Sequence, residues 1–104
     1  MSIREISEGV QHQGIKETIT YTLTTTNIGS SPSSPAVTAT NEATGTSITS
    51  TLFPTNSPTV SGDIITLSPC VGTSMTNGTT ARISIVYTLS GNTIETYGLV
   101  VFET

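Results

Sequence analysis

Few side chains in this chain have the types and spacing needed for chemistry. One histidine, His12, and one cysteine, Cys70, cannot form a zinc site by themselves, and their separation is not typical of metal ligands. Asp63 is the only aspartate, and no other acid lies within twenty residues of it, so no calcium loop is present. Neither a glycine-rich phosphate loop nor a Gly-x-Ser-x-Gly elbow occurs.

Acid–base and nucleophilic catalysis are equally poorly supported. A Ser–His–acid triad would have to recruit His12 from the N-terminal segment, a poor place for preorganised chemistry. No local pattern pairs the acids that glycosidic chemistry would need, which are Glu17, Glu42, Asp63, Glu95 and Glu103. The sequence therefore predicts a protein that is not an enzyme and has no cofactor or metal site.

The charge balance narrows the choice of partners. The formal net charge is −4, and Arg4, Lys16 and Arg82 are the only fixed cations. Nucleic acids and anionic membranes are bound by clustered Lys and Arg, so neither partner is expected. Only 10% of residues are charged, while Thr and Ser make up roughly a third of the chain. Thr is β-branched, so this composition favours strands with hydroxyl-coated faces.

The N-terminal residues and the cysteine content bear on localisation. No apolar stretch follows the first five residues, so we expect no signal peptide and synthesis in the cytoplasm. A single cysteine excludes an internal disulfide, which also mildly favours that compartment. Cys70 itself is either a buried small apolar residue or a reactive thiol, and the sequence favours the first.

The strongest structural signal is a long β-hairpin over residues 79–103. Gly91-Asn92 is the expected two-residue turn, because a tight primed turn needs residues that tolerate positive φ. That register would place Leu89 opposite Ile94 and Ala81 opposite Phe102, with an apolar face toward the core.

The other face of this hairpin is polar near the turn and apolar further away. The apolar residues there are Val86, Tyr97, Leu99 and Val101. A sheet with one solvated face does not need a second apolar patch. Either another part of the chain covers the patch, or it is an interface with a partner protein.

The rest of the chain adds short strands and frequent turns. Strands are expected at residues 15–24, 36–40, 46–53 and 63–67, and the two prolines of residues 54–58 predict a crossover between sheets. The fold class is therefore all-β, an antiparallel Ig-like β-sandwich of about six to seven strands over residues 15–104. Residues 1–14 are expected to form an N-terminal arm, which is either frayed or docks on a neighbouring subunit. Its candidate contacts are Ile3, Ile6 and Val10.

The order of these motifs resembles a known group of proteins. The motifs are residues 27–32, 36–40, 44–51, 60–67 and 77–82, followed by the turn at Gly91-Asn92-Thr93. They resemble small Ig-like proteins encoded among the structural genes of tailed bacteriophages, including capsid decoration, head–tail and fibre-adaptor types. The resemblance covers about residues 15–103 and rests on strand order and turn chemistry.

These observations suggest two functions, one as a structural protein and one as a ligand-binding module. The resemblance implies a virion structural protein, a cement, decoration or connector piece that binds other virion proteins in a multi-copy assembly. The alternative is an adhesin-like module that binds a surface glycan or receptor through a loop cleft, at residues 29–35 or 72–78. The missing signal peptide and the few aromatic residues favour the virion protein.

Overall fold

The computed structural model describes residues 2–5, 10–25 and 31–104. Within them lie nine strands and one single-turn helix. They are β1 (Ser2–Glu5), β2 (Val10–Gly14), β3 (Thr18–Thr24), β4 (Ser33–Asn41), α1 (Thr49–Leu52), β5 (Thr59–Ser61), β6 (Ile64–Thr66), β7 (Cys70–Val71), β8 (Thr80–Leu89) and β9 (Asn92–Glu103).

The strands form two sheets. The first has the order β1-β3-β6-β5, with β7 also paired to β3, and the second has the order β2-β9-β8-β4. The seven strands within residues 15–104 pair antiparallel throughout, whereas β1 and β2 pair parallel with β3 and β9. The prediction of an all-β sandwich is confirmed, and the two parallel pairings are an addition to it.

The core lies between the sheets and takes alternate residues from the strands of both. Period-2 alternation sends every second side chain inward, so β8 buries Ala81, Ile83, Ile85, Tyr87 and Leu89. The facing sheet contributes Ile19, Tyr21, Leu23 and Ile65 to the same cluster, and Leu67, directly after β6, joins them.

Residues 1–14 contribute one strand to each sheet. β1 lies beside β3 in the first sheet, with Ile3 opposite Thr20. β2 lies beside β9 in the second sheet, with Val10 opposite Leu99. β1 and β2 therefore belong to different sheets.

The closing hairpin has a different register from the one expected. Leu89 pairs with Asn92 and Ala81 with Val100, so the loop residues are Ser90 and Gly91. Their φ angles are 49° and 82°, as a primed turn requires, and glycine takes the second loop position. The slip is two residues, so every side chain keeps its predicted face.

The strand expected at residues 46–53 is wrong: this segment contains α1. The amides of Leu52 and Phe53 donate to the carbonyls of Ile48 and Thr49, which closes one helical turn. Leu52 and Phe53 are both buried, whereas a strand with one solvated face would bury only one of two adjacent residues. The proline-containing residues 54–58 then lead from the sheet of β4 to the sheet of β5, as predicted.

Candidate protein-binding surface

The outward-facing side of the second sheet gathers most of the candidate interface residues. We call it the outer face. Its strand order and registers place Val10, Leu99 and Arg82 in one row across β2, β9 and β8. Tyr97 lies opposite Ser84 in the next row, because residues of one strand that are two apart share a face.

The outer face exposes large apolar side chains at its centre. Tyr97 is 49% exposed and Val10 is 48% exposed. Leu99, Val101 and Val86 are half-buried beside them. The described residues thus leave the apolar patch open, which counts against cover by another segment of this part of the chain.

Arg82 and Tyr97 form a stacked pair within this patch. The guanidinium carbon of Arg82 lies 3.7 Å from the centroid of the Tyr97 ring. Their strand positions are diagonal, since Arg82 pairs with Leu99 and Tyr97 with Ser84. A guanidinium over an aromatic face is attracted by the ring quadrupole, so the pair presents a rigid, charged platform.

A contact between a histidine and a carboxylate lies at one end of the outer face. The Nδ1 atom of His12 is 3.5 Å from Oε1 of Glu103, and both side chains are more than half exposed. The two residues are diagonal neighbours, because His12 pairs with Val101 and Glu103 pairs with Gly14. Such an exposed pair orients the two side chains but stabilises the fold by less than about 1 kcal/mol.

Of the seven candidate interface residues, the structure brings five together on the outer face: Val10, Val86, Tyr97, Leu99 and Val101. Ile3 is separate from them, because the backbone of β1 belongs to the other sheet. Ile6 lies outside the described residues.

A buried polar cluster behind the outer face was not foreseen from the sequence. The side chain of Gln13 is fully buried, and its Nε2 donates to the carbonyls of Cys70 (2.9 Å) and Glu17 (3.0 Å). Its Oε1 accepts from the Tyr21 hydroxyl at 3.0 Å. Gln13 thereby ties β2 of the second sheet to β3 and β7 of the first, which fixes the strand that carries Val10.

The backbone at Gly72 packs closely against this polar cluster. A Cβ atom at this position would lie 2.9 Å from the Gly14 carbonyl oxygen and 3.3 Å from Nε2 of Gln13. Backbone atoms cannot move aside as a flexible side chain can, so the close approach of these segments requires glycine.

An open cleft lies at the end of the sandwich where the turn after β4 meets the connection before β8. It is lined by residues 41–43 and 76–80 and has a volume of about 480 Å³. One of the two loop regions expected for a glycan site, residues 72–78, contributes to it. Its lining holds the Glu42 carboxylate, the Asn77 amide and threonine hydroxyls, but no aromatic ring.

Cys70 is buried, and burial raises the pKa of its thiol from 9.0 to about 12. Residues 10–25 and 31–104 hold no group of three His, Cys, Asp or Glu side chains that could bind a metal ion. Among the described residues, no helix has the length and hydropathy needed to span a bilayer.

Cys70 is expected to resist alkylation in the folded protein. The shift of the thiol pKa from 9.0 to about 12 lowers the fraction of thiolate, the nucleophile, at pH 8 by about a thousandfold, so iodoacetamide should react much more slowly with the folded protein. Mass spectrometry measures the rate of Cys70 labelling in buffer and in urea, and the ratio of the two rates gives the protection in the folded protein. Equal rates in the two solvents would contradict the buried position.

Comparison with known proteins gives no family assignment. No family model matches the chain, and no curated protein matches it at a significant level. The function is therefore inferred from the residues and their geometry.

Proposed function

We propose that this protein is a non-enzymatic, Ig-like virion structural protein of a tailed bacteriophage, and that its outer face binds other virion proteins. The observation that carries the proposal is the apolar patch in which Tyr97 and Val10 are each about half exposed. The resemblance of its motif order to phage structural proteins supports the virion assignment.

The composition of the outer face suits a protein partner. Tyr and Arg are the residue types that most often dominate binding energy, and here they form a stacked pair inside an apolar patch. Thr and Ser residues of β8 and β4 flank that patch on one side and provide a polar rim there. This pattern of an apolar centre with a hydroxyl-rich rim fits association between proteins.

The same surface offers little to nucleic acids or anionic membranes. Arg82 is the only fixed cation that the described strands place on the outer face, and the net charge of the chain is −4. Binding to phosphates would need several such cations. The proposed partners are capsid or tail components and further copies of this chain in a multi-copy assembly, with synthesis in the host cytoplasm.

The cleft of residues 41–43 and 76–80 favours a second candidate function, an adhesin-like module for a host-surface glycan or receptor. Its carboxylate, amide and hydroxyl groups could bind sugar hydroxyls. Sugar sites usually add an aromatic platform, and the lining has none, so this candidate ranks below the virion protein.

The experiment that tests the proposal compares purified particles of the encoding virus. Particles are produced with the wild-type chain or with the double variant Tyr97→Ser/Leu99→Ser, and the protein is quantified by mass spectrometry. If Tyr97 is a binding hot spot, its loss weakens the contact by at least about 30-fold, so the variant is expected to be depleted from particles.

The other sheet supplies a matched control. Val60 and Ile64 are 37% and 42% exposed there, so Val60→Ser/Ile64→Ser removes similar apolar area away from the outer face. This control should enter particles at the wild-type level, and circular dichroism should show that all variants are folded. Absence of the wild-type protein from particles would overturn the virion assignment. Equal incorporation of both double variants would overturn the role of the outer face.

A further inference from the structure

The outer edge of β4, the edge that faces away from β8, is the feature that the proposed function leaves unexplained. The Glu42 amide donates to the Thr80 carbonyl, and antiparallel pairing then alternates residue by residue along β4. The backbone groups of Val37, Ala39 and Asn41 consequently point away from β8, toward the open side of the sheet.

The side chain of Thr49 meets the middle of this edge. The Ala39 N–H donates to Thr49 Oγ1 at 2.9 Å, and the Thr49 hydroxyl donates to the Ala39 carbonyl at 3.2 Å. The Ile48 amide also donates to that carbonyl, at 2.9 Å. One threonine therefore satisfies both backbone groups that a neighbouring strand would otherwise bind.

The flanking positions of the edge are also occupied. Asn56 Nδ2 donates to the Val37 carbonyl at 2.9 Å. The Asn41 amide donates to the Thr46 carbonyl, and the Asn41 carbonyl accepts from the Gly45 amide, both at 2.8 Å. Of the six outward-pointing groups on the three residues, five thus have a partner within residues 45–56.

The length and composition of β4 make its edge especially prone to pairing with another chain. At nine residues it is the longest of the edge strands β1, β2, β4 and β5, and it carries no charged residue. Exposed edges are templates for pairing with another chain, and natural proteins usually guard them with charges, prolines or bulges. Here the bulge and Pro35 lie only at the start of the strand, before Val37.

We propose that residues 45–56 act as an edge cap, and that the Thr49 hydroxyl and the Asn56 amide prevent β4 from pairing with β4 of a second copy of this chain. The cap directs association away from the sheet edge. It does not depend on whether the outer face binds a virion protein, because the two surfaces use different groups.

The first variant removes the two hydrogen bonds of the Thr49 hydroxyl without changing the shape of the residue. Thr49→Val is nearly isosteric but can neither donate nor accept, so the Ala39 amide should exchange with solvent about tenfold faster, the loss of roughly one hydrogen bond. Sedimentation velocity should show larger species for Thr49→Val than for wild type at equal concentration. Asn56→Ala changes an exposed residue and should act in the same direction with the fold intact.

Two variants separate capping from a general loss of stability. Thr49→Ser keeps the hydroxyl and should behave as wild type. Thr51→Val makes the same threonine-to-valine change at an exposed position of α1, and it should also behave as wild type. Wild-type association of both Thr49→Val and Asn56→Ala, whatever the exchange rate of the Ala39 amide, would overturn the proposal. So would association of Thr49→Ser equal to that of Thr49→Val.

Discussion

Replacement of Gln13 by leucine is expected to lower the free energy of unfolding by about 3 kcal/mol, although the two side chains are similar in size. The Gln13 amide makes three hydrogen bonds within the core, to the Glu17 and Cys70 carbonyls and from the Tyr21 hydroxyl. Leucine supplies none of them, and the Cys70 carbonyl is left buried without this donor. Urea denaturation followed by circular dichroism measures the loss.

A double-mutant cycle provides the control. Tyr21→Phe removes the hydroxyl that donates to Gln13. Gln13→Leu removes the same hydrogen bond, so the two substitutions share part of their destabilising effect. The double variant should therefore be more stable than the sum of the single effects predicts, by about 1 kcal/mol. Additive effects, or a loss below about 1 kcal/mol for Gln13→Leu, would show that Gln13 does not tie the two sheets together.

Phe53→Ala is expected to lower the free energy of unfolding by about 3–5 kcal/mol, because it leaves a cavity in the core. Phe53 follows α1 and is 1% exposed, next to Leu52, which is fully buried. A strand over residues 46–53 with Leu52 in the core would instead point Phe53 outward, where alanine would cost little. The variant therefore distinguishes the helical turn from the strand that alternation predicts.

The neighbouring proline gives the matched comparison for this prediction. Pro54 is exposed directly after Phe53, and Pro54→Ala should change stability by less than about 1 kcal/mol. The urea denaturation midpoints of the two variants and the wild type measure both changes in stability. Similar small effects at both positions would contradict the burial of Phe53.

The hairpin shows what hydrophobic alternation does and does not determine. Alternation over β8 correctly predicted which side chains face the core. It could not choose between the two registers, because a slip of two residues leaves both faces unchanged. The turn decided the register: Ser90 and Gly91 both adopt positive φ, whereas the sequence analysis predicted Gly91-Asn92 as the loop.

Long-range pairings account for most of what the sequence did not show. Val10 joins Leu99 on the outer face only because β2 pairs with β9, far along the chain. Gln13 enters the core through the same pairing, and a lone glutamine before a glycine gives no local sign of burial. The spacing of Ile48 and Leu52 fits a strand and a helical turn alike, so only the packing of Phe53 distinguishes them.

Photo-cross-linking from the outer face tests the central claim most directly. A benzoylphenylalanine is placed at Tyr97, or at Ile64 on the other sheet as the control, in particles purified from the encoding virus. Both side chains are more than 40% exposed, so each can react with a neighbour that covers it. We predict cross-links to another virion protein from position 97 and not from position 64. Cross-links from position 64 alone, or none from position 97 in particles that contain the protein, would contradict the outer face as the binding surface.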